Sequence, residues 1–264
     1  SNIVVTSLMI DRNLDGFAKI MKLLRDYDVV PTNHDELVAA FGACYGNAEV
    51  YELEDIERVF GPFGEMPDSL FASIVNNMTV NLGDKWRNMA VQRSASTNRR
   101  QADVLEMTRK GYGYVIELIN KRLESMPDDW RALSAAGTLL SDWGDYEYFQ
   151  TLTLESDSDR MKAYREKNSL AYDYFRRAAT AYVEEAKGND RVDNSVFYAW
   201  FDSLLGFNSN GEINLSKAMN REVLEEMRGI MRQLPEAKLR RHVNSFAKRV
   251  DSKAEDKKNP LPPE

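Results

Sequence analysis

A chain of 264 residues, with 43% hydrophobic and 29% charged residues, is long enough to bury a substantial core and has the balance of a globular protein, which excludes a disordered or fibrous one. Its formal net charge of −7 argues against a general nucleic-acid binder, so nucleic acid is not the expected partner. The single cysteine, Cys44, excludes an intramolecular disulfide and a zinc site built on cysteine pairs.

In chain order, the start lacks both Met and a basic n-region, which reads as a trimmed beginning on a cytoplasmic chain. No apolar run approaches the roughly 20 residues that cross a bilayer. Ile3-Val4-Val5-Thr6 is β-branched and is read as a frayed helix start. Leu14, Phe17, Ile20, Met21 and Leu24 fall at spacings of three and four, the stripe of an amphipathic helix. Pro31-Thr32-Asn33 supplies a stop and then a cap. The following run, Leu37 to Cys44, is apolar, so Cys44 reads as a buried structural thiol. Gly61-Pro62 closes a short helix ending at Val59-Phe60, and Pro67 fits the first position of the next, with Asp68 favourable in its first turn.

Periodicity returns in Leu70, Phe71, Ile74, Val75 and Met78, and in Val115, Leu118, Ile119 and Leu123. Gly111-Tyr112-Gly113-Tyr114 lies inside a helical pattern and reads as a site of close helix packing, too short to cradle a phosphate. Pro127-Asp128-Asp129 and Gly206-Phe207-Asn208 are breaks. Two further stripes follow, Val223, Leu224, Met227, Ile230, Met231 and Leu239, Val243, Phe246, Ala247, Val250. Residues 251–264 are charged and end in prolines, as a tail or linker does. The expectation is an all-α fold of about ten helices, an irregular helical bundle or an α–α superhelix. Its regions are 1–100, 101–250, with one continuous domain over both as the alternative, and the tail 251–264.

One segment is more specific. After Pro127-Asp128-Asp129 a helix begins that carries Leu133, Ala136-Gly137 and Leu140, followed by Gly144-Asp145-Tyr146. Residues 115–155 resemble a tetratricopeptide repeat, with Pro127 where the preceding repeat's proline stands. The resemblance implies an αα-hairpin in which Ala136-Gly137 admits a facing helix, Tyr146 fills the space beside it, and Gly144-x-Tyr146 makes the turn. Ala171-x-x-x-Phe175-x-x-Ala178 has the spacing of a repeat's second helix. Glu155 to Arg160 interrupts the schedule, and no second copy stands at a 34-residue offset.

Asp11, Asn13, Asp15 and Gly16 resemble the front of an EF-hand calcium loop over 11–22, but Lys22 stands where the bidentate glutamate belongs. Gly206 to Lys217 repeats the outline with the same defect, and Glu155, Asp157, Asp159 and Glu166 put Arg160 in place of the glycine. No calcium, other metal or cofactor is expected. His34 and His242 belong to no metal-ligand or general-base spacing, and no catalytic motif is found.

The candidate partner-binding residues are Trp143, Tyr146 and Tyr148 of a dense aromatic cluster, and Arg99, Arg100 and Arg109 of a basic patch. A second basic patch runs from Lys238 to Arg249. These features point to a non-enzymatic helical-repeat module that binds a protein or peptide, cut from a longer chain. Two alternatives stand beside it: a regulatory domain with degenerate EF-hand loops, and an enzyme on a helical scaffold with no recognisable motif.

Overall fold

The computed structural model describes residues 13–29, 31–45, 51–92, 98–149 and 155–187, with short stretches between 195 and 234; of 82–92, 98–101, 103 and 104 it describes the backbone alone. The fold is all-α, and the described residues contain no strand. Seven helices follow in order: α1 Leu14–Asp26, α2 His34–Cys44, α3 Leu53–Phe60, α4 Asp68–Gln92, α5 Asn98–Ser125, α6 Trp130–Phe149 and α7 Asp157–Ala186. Further helical turns lie within 195–200 and 225–230. The expected frayed helix start at 3–6, the second EF-hand-like outline, the second basic patch and the tail fall outside the described residues.

The chain divides into two compact units. One takes Ser1–Pro127 and Asp145–Arg160; the other takes Asp128–Gly144 and Met161–Glu264. This differs from a division at residue 100, which falls in the first turn of α5.

In the first unit α1 packs on α2 and α3, α2 on α4, and α4 on α5. The ends of these helices follow local chemistry. The Asn13 side chain accepts from Gly16 N at 3.1 Å, and the Asn33 side chain from Glu36 N at 3.3 Å, so each asparagine caps a helix. Of the EF-hand-like stretch 11–22, the described part from Leu14 onward is helix, and Asn13 and Gly16 serve its cap. Gly61 ends α3 at φ +96°, a conformation that side chains resist. Pro67 stands one position ahead of α4, whose first residue is Asp68. Phe17, Phe41, Phe60 and Tyr51 form the aromatic centre, with ring centroids 5.0–6.2 Å apart. Every apolar position anticipated in α4 and α5 up to Leu123 is buried. Cys44 is half-buried rather than enclosed, its Sγ donating to Ala40 O at 3.6 Å, and burial pushes the thiol above its ordinary value. Gly113 is not a close contact, since a Cβ there would meet nothing within 4 Å.

In the second unit α6 and α7 lie antiparallel. Trp130 packs edge-on against Tyr182 at 4.9 Å. Further along, a Cβ on Gly137 would come within 2.7 Å of the Phe175 ring. Further still, one on Gly144 would meet Tyr164 O and Lys167 Cβ at 3.4 Å. Gly137 and Gly144 are two turns apart and face α7 on the same side, so the two helices approach closely at both; Ala136, Ala171 and Ala178 are buried as well. The expected turn at Gly144-Asp145-Tyr146 is helix instead, because α6 continues to Phe149. The break at Pro127-Asp128-Asp129 is where expected, and Asp129 Oδ1 caps α6 by accepting from Arg131 N at 3.0 Å and Ala132 N at 3.2 Å.

Candidate functional site

The first unit carries a cleft of about 320 Å³. Its walls come from five places in the chain. α1 contributes Met21 and Arg25, and the turn after it contributes Asp28, Val29 and Pro31. α2 adds His34 and Leu37, the end of α3 adds Phe60 and Gly61, and the connection to α4 adds Pro62, Glu65 and Pro67, with Leu70 behind them. Met21, Leu37, Phe60 and Leu70 also belong to the core, so the floor is rigid and apolar, while Val29 stands half exposed at the mouth.

Two arginines hold this shape. Arg25 Nη1 donates to Val59 O, satisfying one of the carbonyls that the end of α3 leaves without a helical partner. Arg122, wholly buried on α5, reaches the α3–α4 connection from behind. Its Nη1 donates to Phe63 O at 3.0 Å and Met66 O at 2.8 Å, its Nη2 to Asp68 Oδ1 at 2.5 Å, and its guanidinium lies 4.8 Å from the centre of the Phe71 ring. A fork of fixed donors suits this task in a way an ammonium does not. Gly64 lets the connection approach α5, since a Cβ there would fall 2.6 Å from Ser125 Cβ.

The ionisable groups of the cleft are Arg25, Asp28, His34 and Glu65, and no hydroxyl or thiol side chain lines it. Among the described residues no group of three His, Cys, Asp or Glu side chains is placed to hold a metal ion.

The residues singled out from the sequence lie elsewhere. Tyr146 has no exposed surface and packs against Tyr112 at 6.0 Å, so it is a core side chain. Arg109 gives a two-point bond to Glu147, with Nε to Oε1 at 2.8 Å, and a third bond to Glu155 at 2.7 Å. It ties α5 to the end of α6 and the start of the α7 segment. Tyr148 is half-buried beneath the Arg160 guanidinium, 5.1 Å from its ring centre, and Arg160 also binds Tyr148 O and Asp157. Asp159 forms a reciprocal cap with Ser156, so Glu155, Asp157 and Asp159 are each engaged separately. Trp143, in the second unit, is half-buried with Lys167 Nζ 4.1 Å from its ring centre. Arg99 and Arg100 stand in the first turns of α5, and their side chains lie outside the described residues.

Sequence reading missed the cleft because its lining residues are scattered from Met21 to Leu70 and each has an ordinary local explanation. The available signal was the set Pro31, Pro62 and Pro67, three rigid turns that the fold gathers at one opening. No family model matches this sequence, no curated protein matches it significantly, and no solved structure matches its fold significantly.

Proposed function

We propose that this chain is a non-enzymatic helical module that binds a protein or peptide partner, and that the cleft between α1, α2 and the α3–α4 connection receives an apolar side chain of that partner. The observation that carries this is the cleft itself: concave, floored by core side chains, and held open by Arg25 and Arg122. A preformed hollow with apolar walls and a polar mouth is the usual seat of an anchoring side chain, because the hollow loses little conformational freedom when filled. The antiparallel α6–α7 pair, with Gly137 against Phe175, supports treating that segment as a single tetratricopeptide-like hairpin within the module.

The test is a selection of peptides from a displayed random library on the intact chain, followed by binding measurements on the Val29→Trp variant. Val29 lies at the mouth and is half exposed, so an indole there fills the opening without disturbing the core. Selected peptides are expected to lose their affinity for the variant. Peptides that bind both proteins equally would sink the proposal.

A further inference from the structure

Building on the peptide-binding cleft proposed above, we infer that the occupant is basic: a partner segment that seats a large aliphatic side chain in the hollow and places a Lys or Arg beside it, against Asp28 and Glu65. The charges at the mouth lead to this. Asp28 and Glu65 both line the cleft, both are exposed, and neither forms an ion pair with any described residue. Asp28 is fixed in place by its backbone, at φ +53°, with its N–H donating to Arg25 O at 3.0 Å.

Among the described lining residues the arginine is turned toward a helix end. Arg25 points its guanidinium at Val59 O, at the negative end of α3. α1 also ends here, bringing a second set of helix carbonyls to the cleft. The positive ends of α2 and α4, which reach the same place, are met by Asn33, Asp35 and Glu36 in one case and by Asp68 in the other. Among the described lining residues two carboxylates, Asp28 and Glu65, stand against one guanidinium, Arg25, so the opening carries an excess of negative charge, and the net charge of −7 adds attraction for a basic segment from farther away. Long basic side chains suit such a mouth, since their methylenes lie along apolar walls while the charged head stays in water.

The peptides selected on the wild-type chain decide the matter when sequenced and measured by fluorescence polarisation. They are expected to carry Lys or Arg within two positions of a large aliphatic residue. The double variant Asp28→Asn/Glu65→Lys, in which the asparagine tolerates the left-handed backbone at 28, is expected to bind them about tenfold more weakly at low salt. It is expected to recover binding when the peptide's basic residues are exchanged for Glu. Neutral or acidic flanks in the selected peptides, or equal affinity for the double variant, would overturn the charge assignment. If Val29→Trp still abolished that binding, the cleft reading would stand without it. Peptides indifferent to Val29→Trp would overturn both. Self-association of the wild-type chain that is lost in the double variant would also overturn the inference, by assigning the cleft to a second copy.

Discussion

Gly137 and Phe175 meet so closely across the α6–α7 seam that a β-carbon on Gly137 would lie 2.7 Å from two carbons of the ring. No side chain fits there unless Phe175, itself buried, gives way. Gly137→Leu raises helix propensity by up to about 1 kcal/mol, but overpacking of a filled core costs roughly 1–3 kcal/mol. The variant is expected to be less stable by about 1–2 kcal/mol. Gly113→Ala is the matched control, because nothing lies within 4 Å of its β-carbon. It is expected to gain about 0.5–1 kcal/mol from propensity alone. Denaturant midpoints of the two variants, measured together, must move in opposite directions.

Arg122 is expected to be among the costliest single positions in the first unit. Arg122→Met leaves the carbonyls of Phe63 and Met66 without their donor in a buried place, a loss of about 2–4 kcal/mol. Arg122→Lys keeps the charge but cannot span two carbonyls and a carboxylate, so it recovers only part of that. Asp68→Asn removes a partner whose side chain is 46% exposed, and is expected to cost less than about 1 kcal/mol. Chemical denaturation of the three variants gives the ranking; equal effects at Arg122 and Asp68 would contradict it.

Asp142 is a half-buried carboxylate with no ion pair or hydrogen bond among the described residues, and burial raises its pKa. A raised carboxylate binds more protons folded than unfolded, so its penalty is absent below the ordinary range, near pH 4, and appears as pH rises through the folded value. Asp142→Asn is therefore expected to be more stable than the wild type at neutral pH. The difference should shrink to nothing below about pH 4. Melting temperatures of both proteins across acid pH check the sign.

The two-point bond between Arg109 and Glu147 sets up an unequal pair of losses. Glu147 is almost wholly buried, its side chain 3% exposed, whereas Glu155 is 25% exposed. Arg109→Met deprives a buried carboxylate of its cation and is expected to cost about 3 kcal/mol. Glu155→Ala removes the outer arm only and is expected to cost less than about 1 kcal/mol. A double-mutant cycle on Arg109 and Glu147 should return a large coupling energy.

Much of the architecture is written in local signals. The stripes at Leu70–Met78 and Val115–Leu123, the caps at Asn33 and Asp129, and the stop at Gly61 each follow from spacing or backbone chemistry within a few residues. Gly144 shows where such signals fail. Glycine in a helix is locally unfavourable, so Gly144-Asp145-Tyr146 reads as a turn, yet contact with Tyr164 and Lys167 keeps it helical. Gly113 fails in the opposite sense, since nothing approaches it. Arg109 reads as a partner-binding charge, and Arg122 carries no local signal, because a sequence does not say which carbonyls and carboxylates will surround a cation. The cleft was invisible for a related reason: Met21, His34, Phe60 and Pro67 have no periodic relation to one another, and only the packing of α1, α2 and α3 makes them neighbours.

The way the chain threads its two compact units bears on inheritance. It passes from one to the other at 127/128, returns at 144/145 and leaves again at 160/161, the last two crossings falling late in α6 and in the first turn of α7. A gene fragment ending at residue 127 would encode α1 to α5 but not Tyr146, Glu147 or Glu155, and would leave Tyr112 and Arg109 facing solvent. Neither unit is a contiguous block of the sequence, so neither is encoded by one uninterrupted gene fragment. Cutting the chain at any one of these crossings leaves at least one unit divided between the two fragments.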